Sequence, residues 1–266
     1  MYIEDGEKKS MTYSIAMAGK GGTGKTTICG LFLDHLAKTG KGPILAVDAD
    51  ANSNLNEVLG VKADITLGDI REEIATAEFV DKNPIPPSMS KNEYANFKFN
   101  SALVEEDQYD MLVMGRGQGK GCYCFVNDLL REQIRKYYNN YKYMVVDNEA
   151  GLEHISRGIL PPVDLILLVS DCSRRGIQAA GRIAAMIGEL DLKVKAVRLI
   201  VNRAPGGKLE AGIQEEIEAQ KLSLIGVIPQ DDLVYQYDAA GKPLITLPED
   251  SSVKRALGEI IHKLEL

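Results

Sequence analysis

The chain has 266 residues, 45% of them hydrophobic, with a formal net charge of −7 and four cysteines; that is enough apolar material for one large α/β domain or two small ones, and it excludes a chain disordered by composition. No run nears the ~18 consecutive apolar residues of a membrane span and residues 1–10 lack the apolar centre of a signal peptide, so a cytoplasmic protein with no membrane partner is expected. The acidic balance argues against a general nucleic-acid binder, which needs a surplus of Lys and Arg, and four cysteines are too few for a disulfide scaffold.

Residues 1–10 form a polar tail, with Met11 a second candidate start, and residues 11–266 are expected to fold as a single domain because no linker or repeat divides them. A first apolar run at 13–18 reads as a strand and leads through a glycine-rich turn to a helical pattern at 25–38. A second strand is expected at 43–47. Residues from about 61 to 108 break the alternation, and Asn83-Pro84-Ile85-Pro86-Pro87-Ser88 marks them as an irregular insertion. Beyond it come a strand at 111–114, a helix at 127–138, strands at 143–146 and 165–169, and a helix at 174–190. A strand at 196–201, a helix at 209–221, a strand at 224–228 and a helix at 252–264 complete the chain.

The strands are nearly all apolar, as strands buried on both faces are, and strands separated by helices run parallel through right-handed crossovers. The expected fold is therefore α/β, a doubly wound, mainly parallel sheet flanked by helices. On the final helix, Val253, Ala256, Leu257, Ile260, Ile261 and Leu264 share a stripe that either docks on the core or binds a membrane surface. Its polar face mixes Glu259 and Glu265 with Lys254, Arg255 and Lys263, which favours docking over the strongly basic face of a membrane-surface helix.

Gly19-Lys20-Gly21-Gly22-Thr23-Gly24-Lys25-Thr26 fits G-x-x-x-x-G-K-[ST] between a predicted strand and a predicted helix, the context in which that pattern makes a phosphate-binding loop. Glycines let successive N–H groups turn toward the phosphates, and the helix N-terminus adds positive dipole character. Lys25 is expected to reach the β- and γ-phosphates and the Thr26 hydroxyl to bind Mg²⁺. The same motif with Thr27 added, and with Lys20 directly after the first glycine, resembles the deviant Walker A sequence of the MinD-type P-loop ATPases, the group that includes ParA and the nitrogenase iron protein.

That resemblance implies ATP and Mg²⁺ as cofactors, ATP hydrolysis as the activity, and an ATP-promoted homodimer in which Lys20 reaches the nucleotide of the other subunit. A solvated loop lysine is the plainer alternative. Asp48-Ala49-Asp50-Ala51-Asn52-Ser53-Asn54-Leu55 resembles the family's switch I, which implies that Asp50 orients the attacking water, alongside Lys20 and Lys25 as the catalytic set, and that Asp48 supports the magnesium shell. Val145-Val146-Asp147 resembles Walker B, whose carboxylate holds a magnesium-bound water, and Asp147-Asn148-Glu149-Ala150-Gly151 resembles switch II. Asn202, followed by Arg203, is implied to read the polar edge of adenine, although a strand-end asparagine also caps turns. Ile228-Pro229-Gln230-Asp231 is a candidate wall of the base pocket, with Pro229 its leading residue.

Cys122 and Cys124 flank Tyr123 after the glycine-rich stretch Gly115-Arg116-Gly117-Gln118-Gly119-Lys120. Soft thiolates suit Zn²⁺ or nickel, and a closed thiolate site commonly takes four ligands, of which one C-x-C supplies two. Cys29, Cys172, His35, His154 and His262 are scattered and make poor partners. Given the dimer that Lys20 implies, two copies of the pair can meet on the two-fold axis; unligated surface thiols are the alternative.

The segment from Gly121 to Arg131, with Glu149-Ala150-Gly151-Leu152-Glu153-His154 and Leu160-Pro161-Pro162-Val163-Asp164, resembles the CooC/AcsF-type maturation ATPases associated with nickel insertion into carbon monoxide dehydrogenase and acetyl-CoA synthase. It implies an ATP-dependent metallochaperone with Ni²⁺ (or Zn²⁺) at Cys122 and Cys124 and a nickel enzyme as client. Ala51 departs from that pattern, where proline is frequent. Two other readings compete: a spatial-positioning ATPase of the MinD or ParA kind, and an iron–sulfur electron-transfer ATPase resembling the nitrogenase iron protein, whose cysteines are widely separated.

Overall fold

The computed structural model describes residues 12–50, 52, 54–77, 83–115, 124–149, 160–190 and 192–266. Among the described residues eight strands form one sheet: β1 (Tyr13–Ala18), β2 (Ile44–Ala49), β3 (Val104–Glu105), β4 (Tyr109–Val113), β5 (Tyr143–Asn148), β6 (Leu165–Asp171), β7 (Ala196–Ala204) and β8 (Leu224–Pro229). Their order is β3-β4-β2-β5-β1-β6-β7-β8. All pairings are parallel except that of the short edge strand β3 with β4.

Side chains alternate between the two faces of a strand, and the core divides accordingly. Ile15, Met17, Ile44, Ala46 and Val145 pack under helices α1 (Lys25–Lys38), α2 (Leu55–Leu59) and the C-terminal α9 (Ser252–Lys263). Ala16, Ala18, Leu45, Val47 and Val146 face α3 (Leu67–Thr76), α4 (Lys91–Ala102), α5 (Cys124–Tyr138), α6 (Arg174–Glu189) and α7 (Ala211–Ala219). Helix α8 (Asp232–Ala239) follows β8. The doubly wound, mainly parallel sheet expected from the apolar runs is the fold observed.

Three departures from the expected elements have local causes. The insertion at 61–108 is not irregular throughout: it holds α3 and α4, each opened by a capping box, Thr66 with Asp69 and Ser90 with Glu93. Leu67, Ile70, Ile74, Tyr94 and Phe99 from these helices fill the core beneath β2 and β4. Strands β2, β5, β6 and β7 run past their predicted ends into Asp48, Asp147, Asn148, Asp171 and Asn202, residue types depleted in strands by propensity. Helix α8 escaped prediction because it is eight residues long and none of its residues is buried.

The stripe of α9 is in the core: Val253, Leu257, Ile260 and Ile261 are buried. Gly226 of β8 admits Ile260 closely, since a Cβ there would lie 2.3 Å from its Cγ1. On the flank, the buried ammonium of Lys254 bonds Ile245 O at 2.7 Å, Glu249 at 2.9 Å and Asp34 of α1 at 3.1 Å. No described helix is long and apolar enough to cross a membrane.

Candidate functional site

β1 delivers the chain into the loop 19–24, and α1 opens at Lys25. Gly19 has φ +154° and lies so close to β6 that a Cβ would stand 2.2 Å from Val169 O; at Gly24, φ +90°, it would meet Asn202 Nδ2 at 2.5 Å. Only glycine fits either position. The loop also closes on itself, for Thr23 Oγ1 and Lys25 Nζ both donate to Lys20 O, at 3.0 and 3.3 Å. Helix α1 has no side-chain cap and no acidic residue in its first turn, so its leading N–H groups are open to an anion.

Lys25 is buried and Lys20 exposed. Burial lowers the Lys25 pKa, against the opposing pull of Asp147, Asp50 and Glu149. The two lysines of the motif therefore occupy different environments: one is held inside the loop, the other is presented to solvent.

The register places Asp48 of β2 directly beside Asp147 of β5, which in turn pairs with Met17 of β1. Both aspartates fall on the α1 face by alternation with Ala46 and Val145. Burial pushes Asp48 up to about 6, opposed by N–H groups of Leu55 and Asp50 and reinforced by Asp50's charge. Those bonds are specific: Asp50 N donates to Oδ1 and Leu55 N to Oδ2, both at 3.0 Å. Asp48 thus organises the turn that carries Asp50 and starts α2. Asp50 itself accepts Asn52 N–H at 2.8 Å.

Asp147 differs. Both its oxygens are buried and accept no hydrogen bond of good geometry among the described residues. Burial raises it to about 7; the Thr26 hydroxyl and Lys25 favour its charged form without outweighing burial, and Asp48 and Asp50 add to the rise. A buried carboxylate with open oxygens beside a threonine hydroxyl fits a hard divalent cation such as Mg²⁺. The neighbouring Asn148 has a mechanical role that its sequence position did not disclose, donating to Met17 O at 3.0 Å and so tying β5 to β1.

At the end of β7 the Asn202 amide donates to Thr23 O at 2.9 Å and its oxygen accepts Arg203 N at 2.9 Å. Arg203 adopts φ +58° and its guanidinium donates to Gly22 O at 3.1 Å. Together they clamp the loop from the side. Beyond them a cleft of about 430 Å³ is lined by Thr27, Asn202, Arg203 and Pro229 together with Val234 and Tyr235 of α8, Leu244 and Val253. Six residues singled out by sequence, Gln230 and Asp231 among them, thus share one cavity with residues of α8 that were not.

Cys122 lies outside the described residues, and of Cys124 only the backbone, which opens α5, is described. Cys29 is buried in α1, its thiol pushed well above the ordinary value by burial and by Asp147 and Asp48. Among the described residues no group of three or more His, Cys, Asp or Glu side chains is arranged to hold a metal.

The model of CbiA, the CobQ/CobB/MinD/ParA nucleotide binding domain, matches residues 14–244. An uncharacterized ATP-binding protein of Methanocaldococcus jannaschii is 41% identical over 250 residues, spanning 94% of this chain and 97% of that protein. The carbon monoxide dehydrogenase accessory protein CooC of Rhodospirillum rubrum is 30% identical over 239 residues, 85% of this chain and 87% of that one. Among solved structures, the MinD cell division protein of Aquifex aeolicus shares the fold with a TM-score of 0.68 at 24% identity, over 96% of this chain and 97% of that chain.

Proposed function

Because the chain belongs to the CobQ/CobB/MinD/ParA nucleotide-binding family and is a P-loop ATPase, we propose that it is a metal-handling maturation factor whose ATP cycle opens and closes a homodimer around Ni²⁺ or Zn²⁺. The observation that carries this reading is the cysteine pair in a chain 30% identical to a carbon monoxide dehydrogenase accessory protein. Topology supports it: β4 is parallel to β2, so β4 ends on the same side of the sheet as Asp48, and the next described residue after 115 is Cys124, which opens α5.

In the proposed cycle the N–H groups of the loop and the α1 N-terminus hold the phosphates, Lys25 meets the β- and γ-phosphates, and exposed Lys20 reaches the partner's nucleotide. Phosphoryl transfer asks the protein mainly for position and charge, which Lys20, Lys25 and a water-orienting Asp50 supply. Magnesium, when bound through Thr26 and Asp147, adds charge neutralisation at the phosphates. Asp48 is assigned the turn that aims Asp50, a refinement of the expectation that it joins the magnesium shell. The base lies in the cleft of Asn202, Arg203 and Pro229, and the metal is cargo, passed to a nickel enzyme such as carbon monoxide dehydrogenase or acetyl-CoA synthase.

Metal titration of the purified protein tests the proposal. One Ni²⁺ or Zn²⁺ per two chains is expected, with the double variant Cys122→Ala, Cys124→Ala losing metal while keeping ATP binding. Unchanged metal affinity in that variant overturns it. The positioning-ATPase reading gains nothing from α9, whose apolar stripe is already buried; ATP-dependent co-sedimentation with lipid vesicles or DNA would restore it.

A further inference from the structure

One carboxylate holds both walls of the base cleft. Asp231 follows Pro229 at the end of β8; its Oδ1 accepts Leu233 N at 3.0 Å, capping α8. Its Oδ2 accepts Ser252 N at 3.1 Å, Ser252 Oγ at 2.7 Å and Val253 N at 3.4 Å, at the start of α9. Two helix N-termini, each with partial positive charge and unpaired N–H groups, thus converge on a single side chain. One of them carries Val234 and Tyr235, the other Val253, and all three line the same cleft, as does Asp231 itself. The peptide next to it is fixed as well, since Gln230 N donates to Ala204 O at 3.0 Å, two residues beyond Asn202.

We propose that Asp231 is a positioning residue for nucleobase binding: by bridging α8 to α9 it sets the width of the base cleft, and so sets how much the base adds to phosphate affinity. This rests on the reading above that the base occupies the cleft of Asn202 and Pro229. The physical reason is that no other described bond joins the two helix starts. Without the carboxylate, the N–H groups of Leu233, Ser252 and Val253 turn to water and the walls carrying Tyr235 and Val253 are free to part. The hydrogen bonds to Ser252, Leu233 and Val253 outweigh burial and hold the Asp231 carboxyl below its ordinary value, as expected of a group used in its charged form. No described bond joins Asp231 to the phosphate loop, so the effect is expected at the base cleft, which Asp231 lines.

The experiment compares ATP with inorganic tripolyphosphate, which has phosphates and no base, on wild type, Asp231→Ala, Asp231→Asn and Ser252→Ala. Binding is read by each variant's own thermal shift and by competition with a fluorescent ATP analogue, and ATPase by KM and kcat. Asp231→Ala is expected to weaken ATP tenfold or more while tripolyphosphate affinity and kcat stay within about threefold. Asp231→Asn and Ser252→Ala, which keep part of the bridge, should fall between. Equal loss of ATP and tripolyphosphate affinity across the series overturns the proposal, as does wild-type ATP affinity in Asp231→Ala. If Asp231→Ala does not fold, the two partial variants decide by the same ratio. A wild type that binds ATP no more tightly than tripolyphosphate instead removes the base-cleft reading itself, an outcome separate from any effect of Asp231.

Discussion

Asp147 has two buried oxygens without good partners among the described residues and a pKa raised to about 7 by burial. A carboxyl whose folded pKa lies above its unfolded value contributes stability only while protonated, and that contribution is lost as pH rises through the folded pKa. Asp147→Asn, which never ionises, escapes the loss. Without magnesium, the melting temperature of the variant minus that of the parent should grow from about pH 4 and level off above about pH 7; excess Mg²⁺ should shrink the difference by favouring the ionised parent. Scanning fluorimetry across pH checks this, and a pH-independent difference refutes it. Asn202 offers a sharper contrast at the same scale. Its amide donates to Thr23 O, so Asn202→Asp sets a carboxylate oxygen against a carbonyl and leaves that carbonyl without its donor. Asn202→Ala should lower ATP affinity by up to about tenfold for the loss of about one buried hydrogen bond, and Asn202→Asp by more because of the added repulsion, as read by nucleotide titration.

Among the elements, α3 and α4 were hidden by the proline-rich run 83–88, although their capping boxes, T-x-x-D at 66–69 and S-x-x-E at 90–93, stand in the sequence. Glu93 accepts from both Ser90 N and Ser90 Oγ, and Ser90 Oγ accepts Glu93 N. Ser90→Ala should cost about 1 kcal/mol, the usual worth of such a cap, measured by urea denaturation; no change in midpoint would mean that tertiary packing of Tyr94 and Phe99 alone fixes the helix. The contact of β8 with α9 is less forgiving. Gly226→Ala drives a methyl to 2.3 Å from Ile260 Cγ1, and overpacking of this kind costs about 1–3 kcal/mol, so a lowered urea midpoint is expected there too.

For the molecule as a whole, the two faces of the sheet divide the labour. The α1 face holds Asp48 and Asp147 under the phosphate loop, and the opposite face is covered by the helices of the 61–108 segment and by α5, whose first residue is Cys124. Because Val253, Leu257, Ile260 and Ile261 belong to the core, removing residues 252–266 should give insoluble or unfolded protein, seen as loss of the cooperative thermal transition. A detachable targeting helix would leave the remainder folded.

The sequence by itself determined what depends on neighbours along the chain: the phosphate loop, whose motif is written in eight consecutive residues, and the alternation of buried strands and helices, which the apolar runs encode directly. It also marked Asp48, Asp147, Asn202 and Pro229 as polar or turn residues at strand ends. Only the tertiary structure decided what each does to the others. Asn202 reaches Thr23 across 179 positions, Asp48 meets Asp147 because β2 and β5 are sheet neighbours, and Asp231 joins the starts of α8 and α9. Those relations depend on strand order and register, which are set by how both faces of the sheet are covered and not by any local pattern.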